Sequence, residues 1–135
     1  MALYRIAIVD DSDDLRALLT YLFDRSPAFE VCGEGASGTS AVEIAEREHP
    51  DVMLLDLTMP GMSGMQALEV IRQQSEQTKV FVLSGHQPHT FAAAAAALGA
   101  AGVLEKDGSL VDLPQHLLAM LPSLAHGRSG SPESE

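Results

Sequence analysis

Five short aliphatic runs, each followed by a stretch with helical spacing, limit what this chain can fold into. Residues 3–9 (LYRIAIV), 29–32, 52–55 (VMLL), 79–83 (KVFVL) and 101–104 read as strands. VMLL is apolar on both faces, as a central parallel strand must be. Residues 13–25 place Leu15, Leu18, Leu19, Leu22 and Phe23 on one helical face. Residues 38–48 set Val42, Ile44 and Ala45 against Glu43, Glu46 and Glu48, and His49-Pro50 stops that helix. After a Pro60-Gly61 turn, residues 64–74 carry Met65, Leu68, Val70 and Ile71 at helical spacing. Residues 89–98 are mostly alanine, the best helix former. Residues 109–121 make the last helix, with Pro114 tolerated in the first turn. Five strand–helix units in series predict an α/β domain with a doubly wound, five-stranded parallel sheet. Right-handed crossovers leave few topologies, and the expected strand order is 2-1-3-4-5.

The 135 residues suit one domain, expected to span 1–121. Residues 122–135 (PSLAHGRSGSPESE) are rich in Pro, Ser, Gly and Glu and read as a disordered tail or linker. A net charge of −11 makes the fold a poor electrostatic match for nucleic acid or anionic lipid. A basic protein surface remains a suitable partner. Cys32 is the single cysteine, so an intrachain disulfide and a CxxC metal knuckle are both excluded, and it reads as a small strand residue. No signal-peptide h-region and no run of eighteen apolar residues is present, so a cytoplasmic protein with no membrane partner is expected.

In a sheet of this kind the strand ends converge on one edge, and the residues found there carry the chemistry. Asp10-Asp11 closes the first run, Asp56 the third, Ser84 the fourth and Lys106 the fifth. Two carboxylates about 5 Å apart repel by roughly 3 kcal/mol at an effective dielectric near 20. Three together favour a cation, and hard oxygen ligands suit Mg²⁺, which keeps several waters and takes one or two carboxylates. The Thr58 carbonyl could add a ligand where the chain turns before Pro60. A simpler reading lets Asp10 and Asp11 open a helix, where Asp favours the dipole. Asp13 and Asp14 fit that role better. Asp56 ends four apolar residues and needs a partner, and Lys106 could serve as one in a plain salt bridge.

The segments IAIVDDS (6–12), DVMLLDLTMPGMSGMQAL (51–68), KVFVLSG (79–85) and LGAAGVLEKD (98–107) strongly resemble the receiver domain of bacterial response regulators. The resemblance covers residues 3–121. It implies the flavodoxin-like fold and phosphorylation of one aspartate by a sensor histidine kinase. Carried over, Asp56 is the phosphoacceptor. Asp11, Asp56 and the Thr58 carbonyl ligate Mg²⁺, with Asp10 helping through water. Ser84 hydrogen-bonds the phosphoryl group and Lys106 pairs with one of its oxygens. Thr58 and His86 fall where residues flank that group and influence its hydrolysis. A homodimer is a further option. The chain itself has no helix-turn-helix after residue 121, so it is either a stand-alone regulator or one whose DNA-binding output domain lies beyond this sequence.

Two positions depart from the family pattern. Val103 stands where many receivers carry Tyr or Phe, which shifts the expected readout to the 84–90 loop and the alanine-rich helix. Asp107 stands where many have proline, which predicts a looser loop. Gly33-x-Gly35-x-x-Gly38 imitates a dinucleotide fingerprint, but it follows the second strand rather than the first. It reads instead as a turn using glycines for positive φ. Two other functions share parts of this pattern. A phosphatase with an aspartyl-phosphate intermediate needs D-x-D on its nucleophile strand and a substrate cap. A degenerate receiver acting only as an interaction module needs no acceptor site.

Overall fold

The computed structural model describes residues 3–57, 64–85 and 89–129, with 89–92 and 122–129 given as helical backbone. Alternation of strand and helix holds along the chain: β1 (Tyr4–Val9), α1 (Asp13–Asp24), β2 (Phe29–Gly35), α2 (Gly38–Glu48), β3 (Val52–Asp56), α3 (Gly64–Gln74), β4 (Lys79–Ser84), α4 (His89–Ala97), β5 (Gly102–Glu105), a 3₁₀ turn (Gly108–Asp112) and α5 (Leu113–Ser129). The strands are all parallel and lie in the order β2-β1-β3-β4-β5, as the sequence predicts.

Side-chain alternation on the inner strands divides the core in two. Ala7, Val9, Met53, Leu55, Val80 and Val82 face α2, α3 and α4, meeting Ile44, Leu68, Ile71 and Ala95. Ile6, Ile8, Val52, Leu54, Phe81 and Leu83 face α1 and α5, meeting Leu19, Phe23, Leu113 and Leu117. Each face is covered by helices, so the strands read as continuous apolar runs. A buried aliphatic side chain contributes roughly 1.5–3 kcal/mol here. This two-sided packing fixes the strand ends rigidly.

The structure corrects the sequence reading in four places. β2 runs on to Gly35, because the Asp10 amide donates to the Gly35 carbonyl at 3.0 Å and extends the pairing. Gly33 and Gly35 therefore sit inside a strand, and among the described glycines only Gly99 has positive φ. Their small size serves packing: a Cβ on Gly35 would lie 2.7 Å from Cβ of Ser40, and one on Gly33 3.0 Å from Ile44. Asp107 does not leave its loop loose. Its Oδ1 accepts from the Ser109 amide at 2.9 Å and caps the 3₁₀ turn. Finally, α5 begins at Leu113 and continues to Ser129, where the sequence reading places the last helix over 109–121. Pro114 does lie in the first turn, and His49 ends α2 as its left-handed cap at φ 43°.

Gly64 opens α3 directly behind the end of β3. A Cβ there would lie 2.4 Å from the Leu57 Cα and 2.6 Å from the Asp56 carbonyl oxygen. These are backbone atoms, which cannot rotate away. Gly64→Ala is expected to destabilise the fold by about 2–3 kcal/mol, the upper range for overpacking. Urea unfolding checks this, and an unchanged midpoint would show that the α3 entrance is not tightly packed.

Candidate functional site

The carboxyl ends of β1, β3, β4 and β5 bring the predicted residues to one edge. Asp10 follows β1, Asp56 ends β3, and the two strands are hydrogen-bonded neighbours. Asp10 and Asp56 are fully buried, whereas Asp11 is exposed at the mouth. One carboxylate oxygen from each of the three lies within 4.8 Å of the others. Ser84 ends β4 one residue past Leu83, the partner of Asp56 in the register, and is 6% exposed. The Lys106 amide donates to the Ser84 carbonyl at 2.8 Å, which carries the β5 end across to this edge.

Lys106 reaches into the cluster. Its Nζ lies 3.0 Å from Asp10 Oδ2 and 3.1 Å from Asp56 Oδ2. Asp10 Oδ1 in turn accepts from the Ser12 amide at 2.8 Å. Burial pushes the Asp10 carboxyl above its ordinary value. The Ser12 amide and Lys106 oppose that rise, and the Asp56 charge adds to it. Burial also works against the Lys106 ammonium, but its hydrogen bonds to Asp10 and Asp56 and their negative charges prevail and raise its pKa. The rise at Asp10 is chiefly the cost of burial, and the rise at Lys106 reflects the two carboxylates around it. Three carboxylates against one ammonium leave a formal surplus of two negative charges. The donors are hard oxygens from closely spaced carboxylates, so Asp10, Asp11 and Asp56 fit a small divalent cation such as Mg²⁺.

Of the positions predicted for the site, Asp10, Asp11 and Asp56 cluster, Lys106 reaches Asp10 and Asp56, and Ser84 stands on the same edge. Thr58 and His86 lie outside the described residues. Val103 is half-buried and packs against the α2–α3–α4 side of the core. One residue escaped the sequence reading: Arg16, whose Nη1 donates to the Asp10 carbonyl at 2.6 Å. In sequence it looks like an ordinary surface arginine on a helix. Its only signal is its place one turn after Asp10-Asp11.

Fold and site together define a receiver-type signalling domain. The model for the response regulator receiver domain matches residues 6–118, and the chain belongs to that family. It is similar to the nitrate/nitrite response regulator protein NarL of Escherichia coli, 35% identical over 122 residues, covering 90% of this chain and 55% of that protein. The transcriptional regulatory protein DegU of Brevibacillus brevis is 35% identical over 103 residues, covering 76% of this chain and 44% of DegU. The chain thus spans about half the length of these curated relatives. The signal receiver domain of the putative response regulator NarL from Mycobacterium tuberculosis superposes with a TM-score of 0.82 at 31% identity, covering 89% of this chain and 97% of that one. The CheX-CheY-BeF3-Mg complex from Borrelia burgdorferi gives a TM-score of 0.79 at 25% identity, covering 87% and 89%. No helix among the described residues is long and apolar enough to cross a membrane.

The charge surplus makes a direct prediction. Asp10→Asn keeps an oxygen for the Ser12 amide and removes one buried charge. In EDTA its Tm is expected to exceed the parent's by about 4 °C, corresponding to roughly 1 kcal/mol. Adding Mg²⁺ should stabilise the parent markedly and the variant little. Differential scanning calorimetry reads both effects. A lower Tm for the metal-free variant would mean that the cluster is held together by its charges rather than strained by them.

Proposed function

We propose that this chain is a phosphorylation-controlled receiver that takes a phosphoryl group from a sensor histidine kinase onto Asp56. The observation that carries this reading is the burial of Asp56 beside Lys106 and the other two carboxylates. An Asp56 carboxylate oxygen attacks phosphorus in the kinase's phosphohistidine. The P–N bond breaks, its electron pair returns to the imidazole, and a mixed acyl phosphate forms on Asp56. Phosphoryl transfer depends on positioning and charge neutralisation more than on covalent help. Asp10, Asp11, Asp56 and the Thr58 carbonyl are the groups assigned to hold Mg²⁺. Bound there, the ion supplies positive charge to the transferring oxygens. Lys106 supplies the second positive charge and is already held at the acceptor carboxylate. Ser84 is assigned to hydrogen-bond the new phosphoryl group.

The added charge and acceptor oxygens would draw Ser84 and the segment after β4 inward. α4 suits such a response: among its described side chains only Ala95 is buried, while Ala93, Ala94, Ala96 and Ala97 are exposed. With Val103 in place of an aromatic, this route through α4 carries the signal. The resulting protein is a switch in the cytoplasm with limited self-phosphorylation and self-dephosphorylation, rather than a metabolic enzyme. The names of its relatives favour an output in transcription, through a DNA-binding domain joined to a chain like this one. The intact acceptor set lends no support to a phosphorylation-independent interaction module.

Acetyl phosphate with Mg²⁺ is expected to add one phosphoryl group to the parent, visible as intact mass under acid quench. Asp56→Asn should gain none, and EDTA should abolish the gain in the parent. Equal labelling of parent and variant would refute the assignment.

A further inference from the structure

Arg16 lies on the first turns of α1, with its side chain 19% exposed, and is tied to three elements at once. Nη1 donates to the Asp10 carbonyl at 2.6 Å, Nη2 to Asp13 Oδ1 at 2.6 Å, and Nε lies 3.7 Å from Glu34 Oε1 on β2. The Asp10 carbonyl belongs to the Asp10–Asp11 peptide unit. A planar guanidinium that grips this oxygen while braced against α1 and β2 therefore fixes the plane of that peptide.

That plane matters because of what Asp11 lacks. Asp10 is pinned by the Gly35 carbonyl, the Ser12 amide and Lys106. Asp11 is exposed, and among the described residues its carboxylate has no hydrogen bond or ion pair. Its place beside Asp10 and Asp56 is set by the backbone that carries it. We propose that Arg16 is the positioning residue for the cation site: by clamping the Asp10 carbonyl it aims Asp11 into the acidic cluster and so sets affinity for the divalent ion. This rests on the receiver reading above, and it assigns Arg16 no contact with ion or phosphoryl group.

Isothermal titration of Mg²⁺ into parent and Arg16→Ala tests the assignment. The variant is expected to bind about tenfold more weakly. Arg16→Lys, which can hold the carbonyl but cannot span Asp13 and Glu34 as well, should fall between the two. A residue of purely structural value supplies the control. Arg5, at the opposite sheet edge, donates to the Glu48 carbonyl and pairs with its Oε1 at 2.6 Å. Arg5→Ala should lower Tm and leave Mg²⁺ affinity unchanged. If Arg16→Ala does not fold, Arg16→Lys carries the test, with a loss of about threefold expected. Parent-like affinity in the folded Arg16 variant overturns the positioning role alone. Failure of the parent to bind Mg²⁺ overturns the receiver reading with it.

Discussion

A single ammonium group between two buried carboxylates governs this structure. Lys106 bridges Asp10 and Asp56 at about 3 Å from each, and that contact joins the ends of β1, β3 and β5. It is incomplete as a neutralising device. Asp11 adds a third negative charge at the mouth, and burial raises the cost of every charge inside. A well-paired structural salt bridge would be balanced. This one keeps a deficit of positive charge at an edge open to solvent, an arrangement that suits binding of a cation better than stability.

The remainder of the fold serves to hold that imbalance in place. β1, β3 and β4 are clad on both faces by buried, mostly aliphatic side chains, and the Lys106 amide ties the end of β5 to the Ser84 carbonyl, which holds the strand ends together against repulsion. Gly64 lets α3 start directly against the Asp56 backbone. The far edge is closed by a different polar network, in which His49 Nδ1, Ser75 Oγ and Thr78 Oγ1 lie in hydrogen-bonding sequence and Thr78 donates to the Pro50 carbonyl. That network has its donors and acceptors matched. The sheet thus has a satisfied end and a strained end, and the chemistry is assigned to the strained one.

Much of this was legible in the sequence, for physical reasons. Parallel strands buried on both faces must be aliphatic runs, and their polar terminators must share an edge. IAIVDD, VMLLD, KVFVLS and GVLEK therefore announced both sheet and site. What escaped depended on contacts that no linear pattern records. The Gly33 and Gly35 positions looked like a turn, because only three-dimensional packing shows Ile44 and Ser40 filling the space their side chains would need. Asp107 looked like a defect until its capping of Ser109 was seen. The last helix was read as ending at 121, yet α5 continues to Ser129. Arg16 was invisible because the contact that ties it to the site is with a backbone carbonyl.

On the proposed function the carboxylate at position 56, and no other in the cluster, becomes the acyl phosphate. Borohydride reduction of the phosphorylated protein, followed by peptide mass spectrometry, tests it most directly, since reduction converts a phosphorylated aspartate to homoserine. Homoserine at position 56 alone is the predicted result. Homoserine at position 10 or 11, or none in a protein that has gained a phosphoryl group, would contradict the account.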